Sequence, residues 1–178
     1  MKTITNYIME KLKIGKTTKP NYVCQPKTKA ELKEILRERL AKDKNANLND
    51  IDVSEMTDMF KLFANLDPHN IDISQWDVSK VEDMEDMFFG CENLDCDLSD
   101  WDISKVINMR SMFEGCKKFN CDLSNWDVSN ANIMSRMFFN CTNFEGNGLE
   151  NWNVRNQLMR WIFYGCKSMK NMPSWYKN

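Results

Sequence analysis

One histidine, His69, stands in 178 residues, beside six glycines and four prolines. A single imidazole supplies neither a catalytic triad nor a multi-histidine metal centre, and no serine or cysteine near it lies in a recognisable nucleophile motif. His69 is therefore expected in a loop. The glycines never cluster into a phosphate-cradling loop, and Gly146-Asn147-Gly148 is expected to be a turn lengthened by one residue. No apolar run approaches the roughly 20 residues that a membrane-spanning helix needs. The first ten residues, Met1 to Glu10, contain no uninterrupted apolar stretch, no small-residue cleavage site and no lipobox cysteine. These absences predict a soluble chain, cytoplasmic where made or virion-associated, with no membrane span, no cofactor, no metal and no enzymatic activity.

The formal net charge of -2 conceals two opposite parts. Residues 1–45 carry 12 basic and 5 acidic residues, whereas residues 46–178 carry 12 and 21. A basic end can attract nucleic acid or an anionic membrane, but it is equally satisfied by solvent or by its own acidic neighbour, which is the reading adopted here. No nucleic-acid partner is expected.

What is present in abundance is repetition. Tryptophans fall at Trp76, Trp101, Trp126 and Trp152, and cysteines at Cys91, Cys116, Cys141 and Cys166. The tryptophan intervals are 25, 25 and 26 and the cysteine intervals all 25, and two further ladders, Met59 to Met159 and Phe63 to Phe163, also keep a spacing of 25. Independent ladders sharing one period define a repeat architecture, and about five copies cover residues 46–178. Alternation in Ile71-Asp-Ile-Ser and Cys96-Asp-Leu-Ser predicts a short strand. A turn is expected at Trp-Asp-Val-Ser. Val81, Met84, Met87 and Phe88 then fall at i, i+3, i+6 and i+7, which predicts a short helix with Ser79 as N-cap, Glu82 completing a capping box, and Gly90 near its end. One such unit buries too little on its own, so neighbours must stack, with Trp and Phe columns inside and Met filling gaps.

The unit Asp97-Leu-Ser-Asp-Trp-Asp-Ile-Ser-Lys-Val-Ile-Asn-Met-Arg-Ser-Met-Phe-Glu-Gly-Cys116 and its neighbours resemble the BspA-like leucine-rich repeat family, whose units also occur in mycoplasma-type surface lipoproteins. The resemblance covers roughly residues 26–170. It implies an α/β repeat: a right-handed leucine-rich-repeat-like solenoid of short parallel strands and short helices, used in adhesion or protein interaction and without an enzymatic site. Within this scheme residues 1–27 are a leader and flexible linker, residues 28–45 a capping helix, and residues 46–178 the solenoid. The cap follows from Leu32, Ile35, Leu36 and Leu40 on one helical face. A leader helix is expected from Ile4 to Ile14, a segment that resembles short N-terminal segments on proteins of tailed phages of gut Bacteroidetes. Met172-Pro-Ser-Trp175-Tyr176 is expected to be a last, incomplete strand.

Columns of cysteine spread thiols along a line, where zinc wants four converging on a point, so these residues are expected as reduced, buried, apolar-like groups. Cys96 and Cys121, one unit apart, are expected reduced as well, and Cys24 exposed. Asp72, Asp97 and Asp122, like Asp77, Asp102 and Asp127, repeat at 25; capping of turns and backbone amides is the favoured role, with calcium or a basic partner the sharper alternative. Strand alternation sends Asp72, Ser74, Asp97, Ser99, Asp122 and Ser124 to solvent, which makes them the candidate partner-binding face. The functional expectation is a non-enzymatic protein-protein interaction scaffold. The alternative is a structural or accessory component of a phage particle, or a cell-surface adhesin without an anchor of its own.

Overall fold

The computed structural model describes residues 22–155 and 157–177. The expected leader helix at Ile4 to Ile14 and most of the expected linker lie outside the described residues. One helix, α1 (Lys29–Lys42), opens the described chain. Thr28 caps it by accepting the Glu31 amide at 3.2 Å, and the Glu31 carboxylate reaches back to the Lys27 amide at 2.7 Å. Two orphan donors at the helix start are thereby satisfied. Leu32, Leu36 and Leu40 are fully buried along one stripe, while Ile35, expected beside them, is only partly buried.

Beyond α1 the expected architecture is overturned. Among the described residues there is no β-strand and no further α-helix, only isolated parallel bridges and a 3-10 turn at Leu149–Asn151. The chain is not a leucine-rich-repeat solenoid of parallel strands. The 25-residue units do lie upon one another, but as layers built from tight turns. Bridges link Asp58, Asp83, Asn108, Ile133 and Leu158 in one line, each to the residue 25 further on.

The backbone shows why neither predicted element forms. Lys61, Asp86, Ser111, Arg136 and Trp161 all adopt left-handed φ values between 51° and 61°. A left-handed residue two positions after each ladder methionine stops a right-handed helix before its first i to i−4 bond. The amides then divide their labour. Met84, Asp86, Phe88 and Gly90 donate to Asn108, Arg110, Met112 and Glu114 of the next layer at 2.8–2.9 Å, while Met87, Phe89 and Cys91 donate to carbonyls three residues back within their own layer. Alternate amides thus join layers and the others close turns. Ser79 caps no helix; its amide and hydroxyl donate to the Asp77 carboxylate at 3.1 and 2.6 Å. Gly90 and Gly115 are left-handed as expected near a chain reversal, yet the same column holds Asn140 at φ 60°, one of the few side chains that tolerates this region.

The segments expected as strands are bent instead. Asp72, Asp97 and Asp122 each accept the amide two residues on, so the backbone turns before an extended run can develop. The expected terminal strand at Met172 to Tyr176 is likewise a turn, closed by the Tyr176 amide on the Pro173 carbonyl at 2.9 Å. Gly146-Asn147-Gly148 is the lengthened turn expected. A Cβ on Gly148 would lie 2.2 Å from the Ser124 nitrogen, so only glycine lets the longer layer approach its neighbour.

The core holds the predicted columns. Phe63, Phe88, Phe113, Phe138 and Phe163 are buried and stack with centroids 5.0 to 5.9 Å apart. Trp76, Trp101, Trp126 and Trp152 are also buried, and each indole N–H donates to a carbonyl of the preceding layer: Leu48, Ile73, Leu98 and Leu123, at 2.9–3.0 Å. Trp175 continues the series onto Leu149 at 2.7 Å. Met59, Met84, Met109 and Met134 are buried, whereas Met159 in the last layer is half-buried. The basic helix docks on acidic layers: Arg39 pairs with Asp50 at 2.9 Å and Lys29 with Asp58 at 2.5 Å.

Two substitutions separate the packing from the hydrogen bond. Phe113→Ala should cost about 3–5 kcal/mol by opening a void in a column with neighbours on both sides. Trp101→Phe should cost about 1 kcal/mol for the lost indole bond plus a smaller void term for the lost part of the buried ring, while the Ile73 carbonyl keeps the bond from the Trp76 amide at 3.1 Å. Urea denaturation of both variants checks this; equal losses would mean the indole donor matters as much as ring volume.

Candidate functional surfaces

The cysteine column shows what the interior does with potentially reactive groups. All seven cysteines are free thiols. Cys91, Cys116, Cys141 and Cys166 are buried and donate to the carbonyls of Phe63, Phe88, Phe113 and Phe138, each in the preceding layer, at 2.9 to 3.5 Å. Burial pushes the Cys91 and Cys166 thiols up to about 12 and raises Cys116 and Cys141 well above their ordinary value. A thiol held protonated is neither nucleophile nor ready metal ligand. Cys96 is buried beside half-exposed Cys121, whose thiol is raised to about 11, also chiefly by burial. Cys24 is half-exposed rather than fully open.

The predicted acidic face is where alternation placed it, although no strand carries it. Asp97 and Asp122 are exposed, Asp72, Ser74, Ser99 and Ser124 half-exposed, and the residues between them buried. Each carboxylate is already engaged. Asp72 accepts the Ser74 amide and hydroxyl at 3.2 and 2.8 Å, Asp97 the Ser99 amide at 3.0 Å, and Asp122 the Ser124 amide at 2.9 Å. The parallel column is built alike, with Asp102 and Asp127 accepting from Ser104 and Ser129. Serine hydroxyl and amide donors hold the Asp97, Asp102 and Asp127 carboxyls below the usual carboxylate range. Among the described residues no group of three or more His, Cys, Asp or Glu is placed to hold a metal. His69 lies 3.4 Å from Asp67, and its amide and carbonyl stitch to Lys44 and Asp95.

A surface that the sequence reading passed over lies toward the C-terminal end. The Arg136 guanidinium is 4.0 Å from the Phe139 ring centroid and 5.9 Å from that of Trp161, and Phe139 stacks on Tyr164 at 5.0 Å. The Arg160 guanidinium lies 5.1 Å from the Trp161 ring centroid. Arg136 is fixed by a two-pronged pair with Glu114, at 2.8 and 2.5 Å. Burial alone would raise the Glu114 carboxyl, but hydrogen bonds from Arg136 and Ser111 outweigh it and hold that carboxyl low. The result is a rigid, alternating surface of rings and guanidinium groups around a shallow hollow of about 310 Å³ lined by Arg136, Phe139, Trp161 and Tyr164. Trp161 is 51% and Tyr164 64% exposed. The signal was present in the sequence as a break in pattern: the column Lys61, Asp86, Ser111, Arg136 ends in Trp161, an aromatic where the earlier members are polar.

Turn-built layers repeating every 25 residues, with a buried thiol column and an exposed aromatic edge, define a repeat protein. The family described as "Mycoplasma protein of unknown function, DUF285" matches residues 57–176, and the chain belongs to that family. No curated protein and no solved structure matches it. No described helix is long and apolar enough to cross a membrane.

Two measurements probe these surfaces. At pH 8, alkylation should label Cys24 first and leave Cys91 and Cys166 untouched until unfolding, since both column thiols are buried and burial holds them protonated. Labelling of Cys91 at the rate of Cys24 would contradict this. The depressed Asp97, Asp102 and Asp127 carboxyls contribute stability that is complete above the unfolded carboxyl pKa of about 3.9 and is lost as pH falls through their lower folded values. The urea midpoint should therefore decline below about pH 4, and less steeply when all three are changed to Asn. An unaltered pH dependence in that variant would remove these groups as its source.

Proposed function

We propose that the chain is a non-enzymatic protein-protein interaction scaffold, with the aromatic and guanidinium surface around Trp161 and Tyr164 as its contact site. One observation carries this reading: the rings of Trp161 and Tyr164 are exposed to solvent beside half-buried Phe139 and the Arg136 guanidinium that Glu114 fixes. Tryptophan, tyrosine and arginine are the side chains that most often dominate binding at protein interfaces. Rings already fixed in place lose little rotamer freedom on contact. Kinship with the BspA-like repeat proteins forms part of the proposal. It rests on the Trp-Asp-Ile-Ser and Met-Arg-Ser-Met-Phe signatures of the units and not on a strand-built fold.

The acidic face at Asp72, Ser74, Asp97, Ser99, Asp122 and Ser124 is the second reading, favoured by its charge toward a basic partner. Asp97 and Asp122 each spend one oxygen on the adjacent turn, and Asp72 spends both, on Ser74 and on the Asn47 side-chain amide at 2.9 Å. A role in a phage particle or as an adhesin would use the same surfaces for permanent assembly.

The test is crosslinking in the native source, with complexes identified by mass spectrometry and reconstituted from purified components. A stoichiometric protein complex is expected, weakened at least about tenfold by Trp161→Asn with Tyr164→Ser and little altered by Asp72→Asn, Asp97→Asn and Asp122→Asn together. The reverse pattern would move the contact to the acidic face. Failure of any purified protein to reconstitute a complex would overturn the scaffold reading.

A further inference from the structure

Apart from Asn65 in the first layer, every amide of the layer-joining set finds a carbonyl until the last layer. Met134, Arg136, Phe138 and Asn140 donate to Leu158, Arg160, Ile162 and Tyr164 at 2.7–3.0 Å, as their counterparts do in the layers before. The next members, Met159, Trp161, Phe163 and Gly165, meet no acceptor among the described residues. Four main-chain donors at two-residue spacing therefore form an open edge. The hydrophobic column behind it is closed, because Trp175 and Tyr176 pack on the Phe163 ring at 6.0 and 5.3 Å, leaving Phe163 only 4% exposed. What remains open is the backbone edge and its flanks. Leu158, Trp161, Tyr164 and Met172 make up half of the exposed large apolar side chains of the described residues, and all four belong to this end.

We infer that this edge binds an acidic peptide segment of a partner protein, which joins the stack as an added layer through its main-chain carbonyls; the inference rests on the scaffold reading and names the partner's chemistry. Two constraints select this occupant. The first is the hydrogen-bond sense: the four amides at two-residue spacing are donors, so an added layer must offer them carbonyls. The second is charge. Residues 151–178 hold five basic residues and no acidic one, in contrast to the acidic layers that precede them. The opposite end of the molecule is guarded by basic α1, with Lys29 and Lys33 seated on Asp58 and the Lys61 carbonyl. Head-to-tail stacking of two copies would bring two basic ends together. A segment bearing carboxylates satisfies both constraints.

The chain contains a probe of the required kind. Residues 79–90 carry four carboxylates and one lysine, and within the structure the carbonyls of Asp83, Glu85 and Met87 accept from Met59, Lys61 and Phe63. A synthetic peptide of that sequence is added to the full chain, and hydrogen exchange is followed by amide-resolved NMR. Met159, Trp161, Phe163 and Gly165 should exchange fast alone and at least about tenfold more slowly with the peptide, with no such effect from a scrambled peptide. Arg160→Glu and Trp161→Asn should each weaken peptide binding about tenfold while Met134, Arg136, Phe138 and Asn140 stay protected, which reports an intact fold. Unprotected edge amides, equal protection by the scrambled peptide, or unchanged affinity in folded Arg160→Glu would overturn the inference. A reconstituted partner complex that leaves these four amides exchanging fast would overturn it too, while sparing the scaffold reading.

Discussion

Buried backbone polar groups must find partners, and in the described layers beyond α1 they do so without strands or α-helices. A strand-built sheet meets that requirement with continuous ladders and a helix with bonds inside itself. These layers use single amides, every second one, to reach the carbonyl 24 residues ahead, and side chains to reach back 28: the thiol of Cys116 to Phe88 and the indole of Trp101 to Ile73. The period of 25 is thus a hydrogen-bonding constraint before it is a packing one. A unit one residue longer needs a local remedy, and the unit ending at Trp152 has one in Gly146 and Gly148, whose left-handed backbone takes up the extra residue.

The same constraint gives the ladder residues their identities. At the cysteine position a group must be small enough to sit beneath a phenylalanine and still donate to its carbonyl, which alanine could not do and serine would do with a greater need for a second partner. At the tryptophan position one residue fills volume and supplies a donor. These requirements recur in each layer because each layer meets the same neighbours above and below.

This explains what could be read in advance and what could not. The period, the buried Trp, Phe, Met and Cys columns and the α1 stripe at Leu32, Leu36 and Leu40 were legible because burial imposes spacing directly on residue type. The alternation at Asp72, Asp97 and Asp122 was legible for the same reason, although the backbone there bends at each carboxylate. The backbone class was not legible. Val81, Met84, Met87 and Phe88 fit a helical face, but three-residue spacing is equally that of consecutive turns. The discriminating feature, a left-handed residue at Lys61, Asp86, Ser111, Arg136 and Trp161, falls on five different side chains, none of them glycine. Tertiary bonding between layers imposes that conformation, and local propensity gives no hint of it.

Positions that must satisfy the stack are alike from layer to layer, so a surface that distinguishes one end from the other has to be written in columns the stack leaves free. The bridge line passes from Asp58 and Asp83 through Asn108 to Ile133 and Leu158, and the left-handed column from Lys61 to Trp161. Both run from charged to apolar in the same direction, while the net charge passes from acidic layers to a basic final segment. α1 closes one end with basic residues over Asp58 and Lys61. An array of equivalent layers is in this way given a direction: one end closed by its own helix, the other exposing rings, guanidinium groups and main-chain donors, and between them a core whose column thiols join layer to layer while the surface carboxylates fix the turns within each layer.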